Sequence, residues 1–293
     1  MILTFEDLII NIFIKTDDFC KVFIPVWNKY LITNKYKKYK SRIDVLTESE
    51  IMTICLLYHI SGYKDFKRFY LQLFSYLRKY FPNIPSYKRF IILQKRILIP
   101  LLSFIQYLKG KETNIYYIDS TPLTVCKNQR IHKHKTFKHL AEKGKSSMGW
   151  FYGFKLHLII NNEGEIMNFK ITKGNVFDNQ VIEDLMKYNK KESKLFGDKG
   201  YICKEEIRKK LKDKYNVKLI TKSRKNMKNK QYDTLSEEDK QLLKKRNIIE
   251  TVIGEIKRLT NITTLRIKSI TNYFVNILSS ILTYQLKLKM GWM

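Results

Sequence analysis

The chain reads as an α/β protein: a mixed sheet flanked by helices, preceded by an all-helical N-terminal region. Three observations predict this. Apolar residues recur at helical spacing through residues 1–110. From residue 114 the pattern changes to short runs rich in β-branched and aromatic residues, bounded by turn signals. Those runs then alternate with amphipathic helical stretches, the pattern of a sheet with helices packed on it.

The elements follow in order. In "LTESEIMTICLLYHI", Thr47 stands three residues before Glu50, a capping box that opens a helix, and Gly62 ends it. "YKDFKRFYLQLFSYLRKYF" carries Phe66, Phe69, Leu73, Phe74 and Leu77 at helical spacing. Pro82 and Pro85 break it, and "SYKRFIILQKRILIPLLSFIQYLK" resumes. The basic outer faces fit a helix-turn-helix DNA binder or a plain helical bundle equally well. "NIYYIDS" is a strand ending in Asp119. "GFKLHLII" (153–160) puts Phe154, Leu156, Leu158 and Ile160 on one face and Lys155 and His157 on the other. The turn "NNEG" and the returning "EIMNFKITK" make 153–173 a β-hairpin. "DNQVIEDLMKY" (178–188) is a helix with Asp178 as its N-cap. "KLFGDKGY" is a short strand ending at Gly197, with Asp198 at its tip. A polar helix "KEEIRKKLKDKY", a strand "NVKLIT" (216–221), a charged stretch 222–245 and two helices (246–260 and 269–289) complete the chain. The expected division is a helical region 1–110, a sheet domain 111–262 carrying the basic insertion 222–245, and a closing segment 263–293 packed on that domain.

Composition narrows the partner. The 293 residues hold 56 Lys and Arg against 27 Asp and Glu, a formal charge of +29. Rich Lys, Ile, Asn and Tyr usage reflects AT-rich coding DNA, but that bias alone does not leave a two-to-one excess of bases. With 44% hydrophobic and 13% aromatic residues the chain folds and is not a disordered polycation. A folded protein with this uncompensated charge points to a polyanion, most simply nucleic acid. Cys20, Cys55, Cys126 and Cys203 are scattered with no CxxC pair, so a reducing compartment is expected. No run reaches about 18 uninterrupted apolar residues, and the start lacks the basic opening of a signal peptide. A cytoplasmic, non-membrane protein is expected.

Three acids stand out by position: Asp119 and Asp198 at strand ends, and Glu250 in the first turns of the helix at 246–260. If the two strands are neighbours, both aspartates emerge at one sheet edge, where ligands of open sheets gather, and the helix could bring Glu250 to them. Clustered carboxylates either pair with lysines or hold a divalent metal. Oxygen-only ligands suit Mg²⁺, and two such ions about 3.5–4 Å apart support in-line phosphoryl displacement. Arg246, Glu250 and Lys257, at offsets of four and seven, share a helical face with the small Gly254. Ile248, Ile249, Val252, Ile253 and Ile256 form the buried side.

The stretch 115–259 resembles the catalytic domain of DDE transposases from bacterial insertion sequences, which has the ribonuclease-H-like fold. "YYIDSTPLTVC" resembles the first-Asp strand, and "GWFYGFKLHLIINNEGEI" with "ITKGNVFDN" the hairpin and the Gly-Asn-x-x-Asp segment after it. "GDKGY" resembles the second-Asp motif. Arg246, Glu250 and Lys257 in "RNIIETVIGEIKRL" match the family's Arg, three residues, Glu, six residues, Lys signature; Leu243 stands where some members have Tyr. The resemblance implies Asp119, Asp198 and Glu250 as catalytic residues and ligands of two Mg²⁺ ions, with Mn²⁺ substituting. It implies Arg246 and Lys257 as contacts to DNA phosphates, with Lys199 and Tyr201 helping to position DNA. It implies double-stranded DNA as partner, cleavage at element ends, transfer of the 3′-hydroxyl into target DNA, and a homodimer on DNA. The alternatives are a domesticated DNA-binding protein without catalysis and a stand-alone nuclease.

Four features compete. Asp178 is read as an N-cap rather than the second aspartate. Glu255 lies about 140° round the helix from Glu250, so Glu250 is preferred. Cys126, His132, His134 and His139 match no common zinc-finger spacing, and 125–145 is read as a DNA-contacting or solvated loop. The basic stretch 221–230 is read as a DNA-tracking insertion or a plain loop. His157 is assigned to hydrogen bonding within the sheet rather than to the active edge.

Overall fold

The computed structural model describes residues 4–36, 45–189, 191–222, 235–260 and 267–291. The chain divides into two units, Met1–Leu108 with Arg258–Met293, and Lys109–Lys257.

The first unit is helical: α1 (Phe5–Thr33), α2 (Glu48–Ile60), α3 (Phe66–Gln72), α4 (Phe74–Tyr80), α5 (Tyr87–Leu93) and α6 (Leu98–Tyr107). The capping box forms as expected. Thr47 Oγ1 accepts from the Glu50 amide at 3.2 Å, and Glu50 Oε2 accepts from the Thr47 amide at 2.7 Å. Helix α2 is buried nearly all round, from Ser49 to His59, which makes it the central helix of this unit. The helix expected after Gly62 is interrupted at Leu73, giving α3 and α4, and the next is interrupted by a 3₁₀ turn at Gln94–Ile97. By length and composition Tyr87–Tyr107 could cross a membrane. Here Phe90, Leu93, Ile97, Leu101 and Phe104 are buried in the protein core.

The second unit contains β1 (Ile115–Cys126), β2 (Glu142–Ser146), β3 (Gly149–Asn161), β4 (Ile166–Lys173), α7 (Ile182–Met186), β5 (Ser193–Gly197), α8 (Glu205–Tyr215), β6 (Val217–Thr221), α9 (Glu237–Lys244) and most of α10 (Asn247–Thr260). The strands form one mixed sheet in the order β2-β3-β1-β5-β6, with β4 also on β3. The hairpin is present, β3 pairing antiparallel to β4 from Phe154↔Lys173 to Ile160↔Ile166. Strand β1 runs antiparallel to β3, whereas β5 and β6 follow parallel to it. An α/β architecture with a mixed sheet and a helical N-terminal region is therefore what the sequence folds into. One face of the sheet, through Tyr116, Ile118, Leu195 and Leu219, packs on Ile182, Leu185 and Met186 of α7 and Leu211 and Tyr215 of α8.

Several expectations change. Strand β1 does not end at Asp119: it stays paired with β3 as far as Cys126↔Tyr152, its polar second half hiding the strand in the sequence. The 125–145 stretch is not all loop, since Glu142–Ser146 adds β2 to β3. The polar face of β3 is covered too: His157 has no exposure. Within 222–245, Glu237–Lys244 is a helix, capped by Ser236 Oγ on the Asp239 amide; the insertion's 223–234 lies outside the described residues. The closing helix, α11 (Ile270–Lys289), was expected on the sheet domain. It packs instead on α2 and α6 and belongs with the N-terminal helices, because its apolar faces, including Ile277, Leu278, Ile281 and Leu282, complete their core.

Candidate active site

Strands β1 and β5 lie side by side in parallel register: Tyr116↔Leu195, Tyr117↔Phe196, Ile118↔Gly197. Asp119 and Asp198 are the next residue on each. The two carboxylates thus leave neighbouring strands at the same level, as the strand-end argument expected. β5 stops there while β1 continues along β3, so Asp119 sits where the sheet loses one of its strands.

Each aspartate has one oxygen fixed by backbone. The Ser120 amide donates to Asp119 Oδ1 at 2.7 Å, and the Gly200 amide to Asp198 Oδ1 at 2.7 Å. The second bond caps the 3₁₀ turn Lys199–Tyr201, so Asp198 shapes its own turn. Asp119 Oδ2 accepts from Arg246 Nη1 at 3.1 Å, and Nη2 of the same guanidinium donates to Glu250 Oε1 at 2.6 Å. One arginine therefore joins the first acid to the third, and Glu255 has no part in that bridge. Burial pushes the Asp119 carboxyl up to about 6. The Ser120 amide and the Arg246 charge work against that rise, and the Asp198 charge adds to it.

The other expected site residues divide. Lys199 is exposed beside Asp198, and Lys257 is half-buried on α10. Gly254 is exposed, and a Cβ there would meet nothing. Tyr201 is corrected: it is fully buried in the sheet core, so its ring supports the turn from beneath and does not face DNA. Burial, then the charges of Asp178, Asp119 and Asp198, hold its phenol well above the usual range. Leu243 is likewise a buried core residue of α9. His157 hydrogen-bonds within the sheet, its Nε2 at 2.9 Å from Thr172 Oγ1, but its Nδ1 also lies 3.8 Å from Asp178 Oδ1, so it stands near the acids as well. Burial holds its imidazole below the usual range.

Asp178 is also corrected. It begins a 3₁₀ turn, Asp178–Val181, and its side chain caps nothing. Its Oδ1 accepts from Ser120 Oγ at 3.0 Å and Lys155 Nζ at 3.1 Å. The cap preference of Asp obscured this; the Gly-Asn-x-x-Asp segment was the signal.

Among the described residues no three His, Cys, Asp or Glu side chains stand ready to hold a metal. In the 125–145 stretch His134 stacks on Phe137 with ring centroids 5.6 Å apart. The acid trio is not such a group either, and Glu250 is turned to Arg246. The donors still fit a hard cation. All are carboxylate oxygens, and the Asp198 charge adds to the rise of the Asp119 carboxyl in a way that a divalent ion would relieve.

A family model described as the transposase DDE domain matches residues 109–270, more than half of the chain. The chain belongs to the DDE transposase family. Comparisons with curated proteins and with solved structures found no match. A transposase domain implies DNA as partner, and a formal charge of +29 is consistent with a polyanion.

Proposed function

We propose that this DDE transposase cuts DNA at the ends of its element and transfers the exposed 3′-hydroxyl into target DNA, with Asp119, Asp198 and Glu250 as the residues that hold two Mg²⁺ or Mn²⁺ ions. The observation that carries the reading is the level register of Asp119 and Asp198, with Glu250 joined to Asp119 through Arg246. The sheet unit is read as ribonuclease-H-like; the antiparallel strands beside β1, followed by parallel β5 and β6, support that.

Bound there, the divalent ions supply charge neutralisation at the scissile phosphate and activation of the attacking oxygen. The chain's part is positional. The Ser120 and Gly200 amides fix one oxygen of each aspartate. Glu250 must leave Arg246 to join the aspartates, and a DNA phosphate is the anion that competes for that guanidinium. Lys257 and the exposed Lys199 extend the phosphate contacts. Two ends must be held together, so the working form is a dimer on DNA, in the cytoplasm.

The test is Asp198→Asn, assayed on a labelled duplex carrying the element's ends. Strand cleavage should disappear while metal-free DNA binding persists. Unchanged cleavage removes Asp198 from the mechanism, and products that are cut but never joined favour a nuclease.

A further inference from the structure

Asp178 lies beside the aspartate pair, and neither strand end explains it. Its Oδ1 takes two donors, Ser120 Oγ at 3.0 Å and Lys155 Nζ at 3.1 Å. Ser120 directly follows Asp119 on β1. Lys155 comes from β3 and also donates to the Val176 carbonyl at 3.0 Å. The other oxygen, Oδ2, borders Gly200. A Cβ built on Gly200 would stand 3.1 Å from Asp178 Oδ2 and 3.0 Å from Asp198 Oδ1, so glycine is what lets the two carboxylates approach the same turn. The next residue, Asn179, donates from Nδ2 to the Ile202 carbonyl at 3.0 Å. Residues 178–179 therefore tie together β1 just after Asp119, β3, and the turn that carries Asp198.

Charge explains how a third carboxylate is tolerated there. The Lys155 side chain is only 12% exposed and its ammonium pairs with Asp178, so the pair adds no net charge to the acids beside it. With two donors on Oδ1, one of them charged, Asp178 is held by protein in a fixed orientation. His157 Nδ1 lies 3.8 Å away, and the buried Tyr201 phenol also feels the Asp178 charge.

We propose that Asp178 is a positioning residue of the transposase site: it sets the separation of Asp119 and Asp198, and with it the fit of those carboxylates to a divalent cation. The inference rests on the reading of Asp119 and Asp198 as metal ligands. Groups that orient metal ligands from behind commonly weigh about 10–100-fold in metal affinity.

The experiment measures Mn²⁺ binding to the full chain by the electron paramagnetic resonance of free Mn²⁺, beside metal-free DNA binding and thermal melting. Asp178→Ala should weaken Mn²⁺ binding about 10–100-fold and leave metal-free DNA binding intact. Asp178→Asn should show a smaller shift, because its carboxamide oxygen still accepts from Ser120 and Lys155. Asp198→Asn is the control and should abolish binding. Unchanged Mn²⁺ affinity in Asp178→Ala, with loss in Asp198→Asn, overturns the positioning role and leaves the metal site standing. Unchanged affinity in Asp198→Asn overturns the reading beneath it. Loss in Asp178→Asn as complete as in Asp198→Asn makes Asp178 a ligand, which also overturns the proposal. Should Asp178→Ala not fold, Ser120→Ala cuts one arm of the same strap and must weaken Mn²⁺ binding for the proposal to stand.

Discussion

Arg246 and Asp119 form a largely buried ion pair, Nη1 to Oδ2 at 3.1 Å, with 16% and 20% of the two side chains exposed. Removing the cation leaves Asp119 buried next to Asp198 with no counter-charge from that side. Arg246→Ala should therefore lower metal-free stability by about 2–3 kcal/mol. Mg²⁺ should restore part of the loss, since it neutralises the same carboxylates. Urea unfolding of both proteins, with and without Mg²⁺, gives the four stabilities. Arg246→Lys should recover little, because an ammonium does not span Asp119 and Glu250 as a guanidinium does. Equal stability of Arg246→Ala and wild type would show that the pair contributes nothing.

Asp119 also predicts a pH dependence. Its carboxyl is pushed up to about 6 from the ordinary 3.8, first by burial. Between those values the folded chain keeps a proton that the unfolded chain has released, so this group's contribution to stability falls as pH rises from about 4 to 6. Asp119→Asn should flatten that part of the metal-free stability profile. Metal binding runs the other way, because it needs the carboxylate: Mn²⁺ affinity of the wild type should fall as pH drops through about 6. A profile that Asp119→Asn does not alter would contradict the assignment.

Residue types and spacing made the strand-end acids legible. Asp119 and Asp198 each follow a short apolar run, and parallel neighbours β1 and β5 bring such ends together. Glu250 was separable from Glu255 by helical angle alone, and in the fold it is Glu250 that pairs with Arg246. What stayed hidden depends on contacts between distant segments. Nothing local says that Tyr201 turns inward, or that Asp178 is drawn off its helix by Ser120 and Lys155, 58 and 23 residues away. Strand β2 and helix α9 were missed because both are strongly polar: one is held by pairing with β3 and the other by one buried leucine, Leu243, and one buried acid.

That acid is Asp239, whose side chain is 3% exposed and bonded to Lys194 Nζ at 2.7 Å and Lys218 Nζ at 3.1 Å. It pins α9 to β5 and β6. Burial opposes its ionisation, but the two lysines outweigh burial and hold the carboxyl below its ordinary 3.8. Asp239→Asn should cost about 1–3 kcal/mol at neutral pH. A lowered value means that the contribution is present above about 4 and lost as pH falls below it. The gap between variant and wild type should therefore close in acid, as read by urea unfolding at pH 7 and pH 3.5. A gap that stays constant would mean that shape, not charge, holds the helix.

The basic surface gives the last expectation. Lys199 is exposed beside Asp198, and Lys257 shares a helix with Glu250. If each touches one phosphate, each releases about one counterion on binding, and the plot of log affinity against log salt becomes shallower by about 0.9 when that lysine is lost. Lys199→Gln and Lys257→Gln should each show that change on any duplex, whatever its sequence, since phosphate contacts carry no base information. Fluorescence anisotropy over a salt series, without metal, measures it. The double variant should lose about twice as much slope, because the contacts are independent. A slope unchanged in both single variants would move the DNA path away from the acids, and the carboxylates would then have no phosphate to act on.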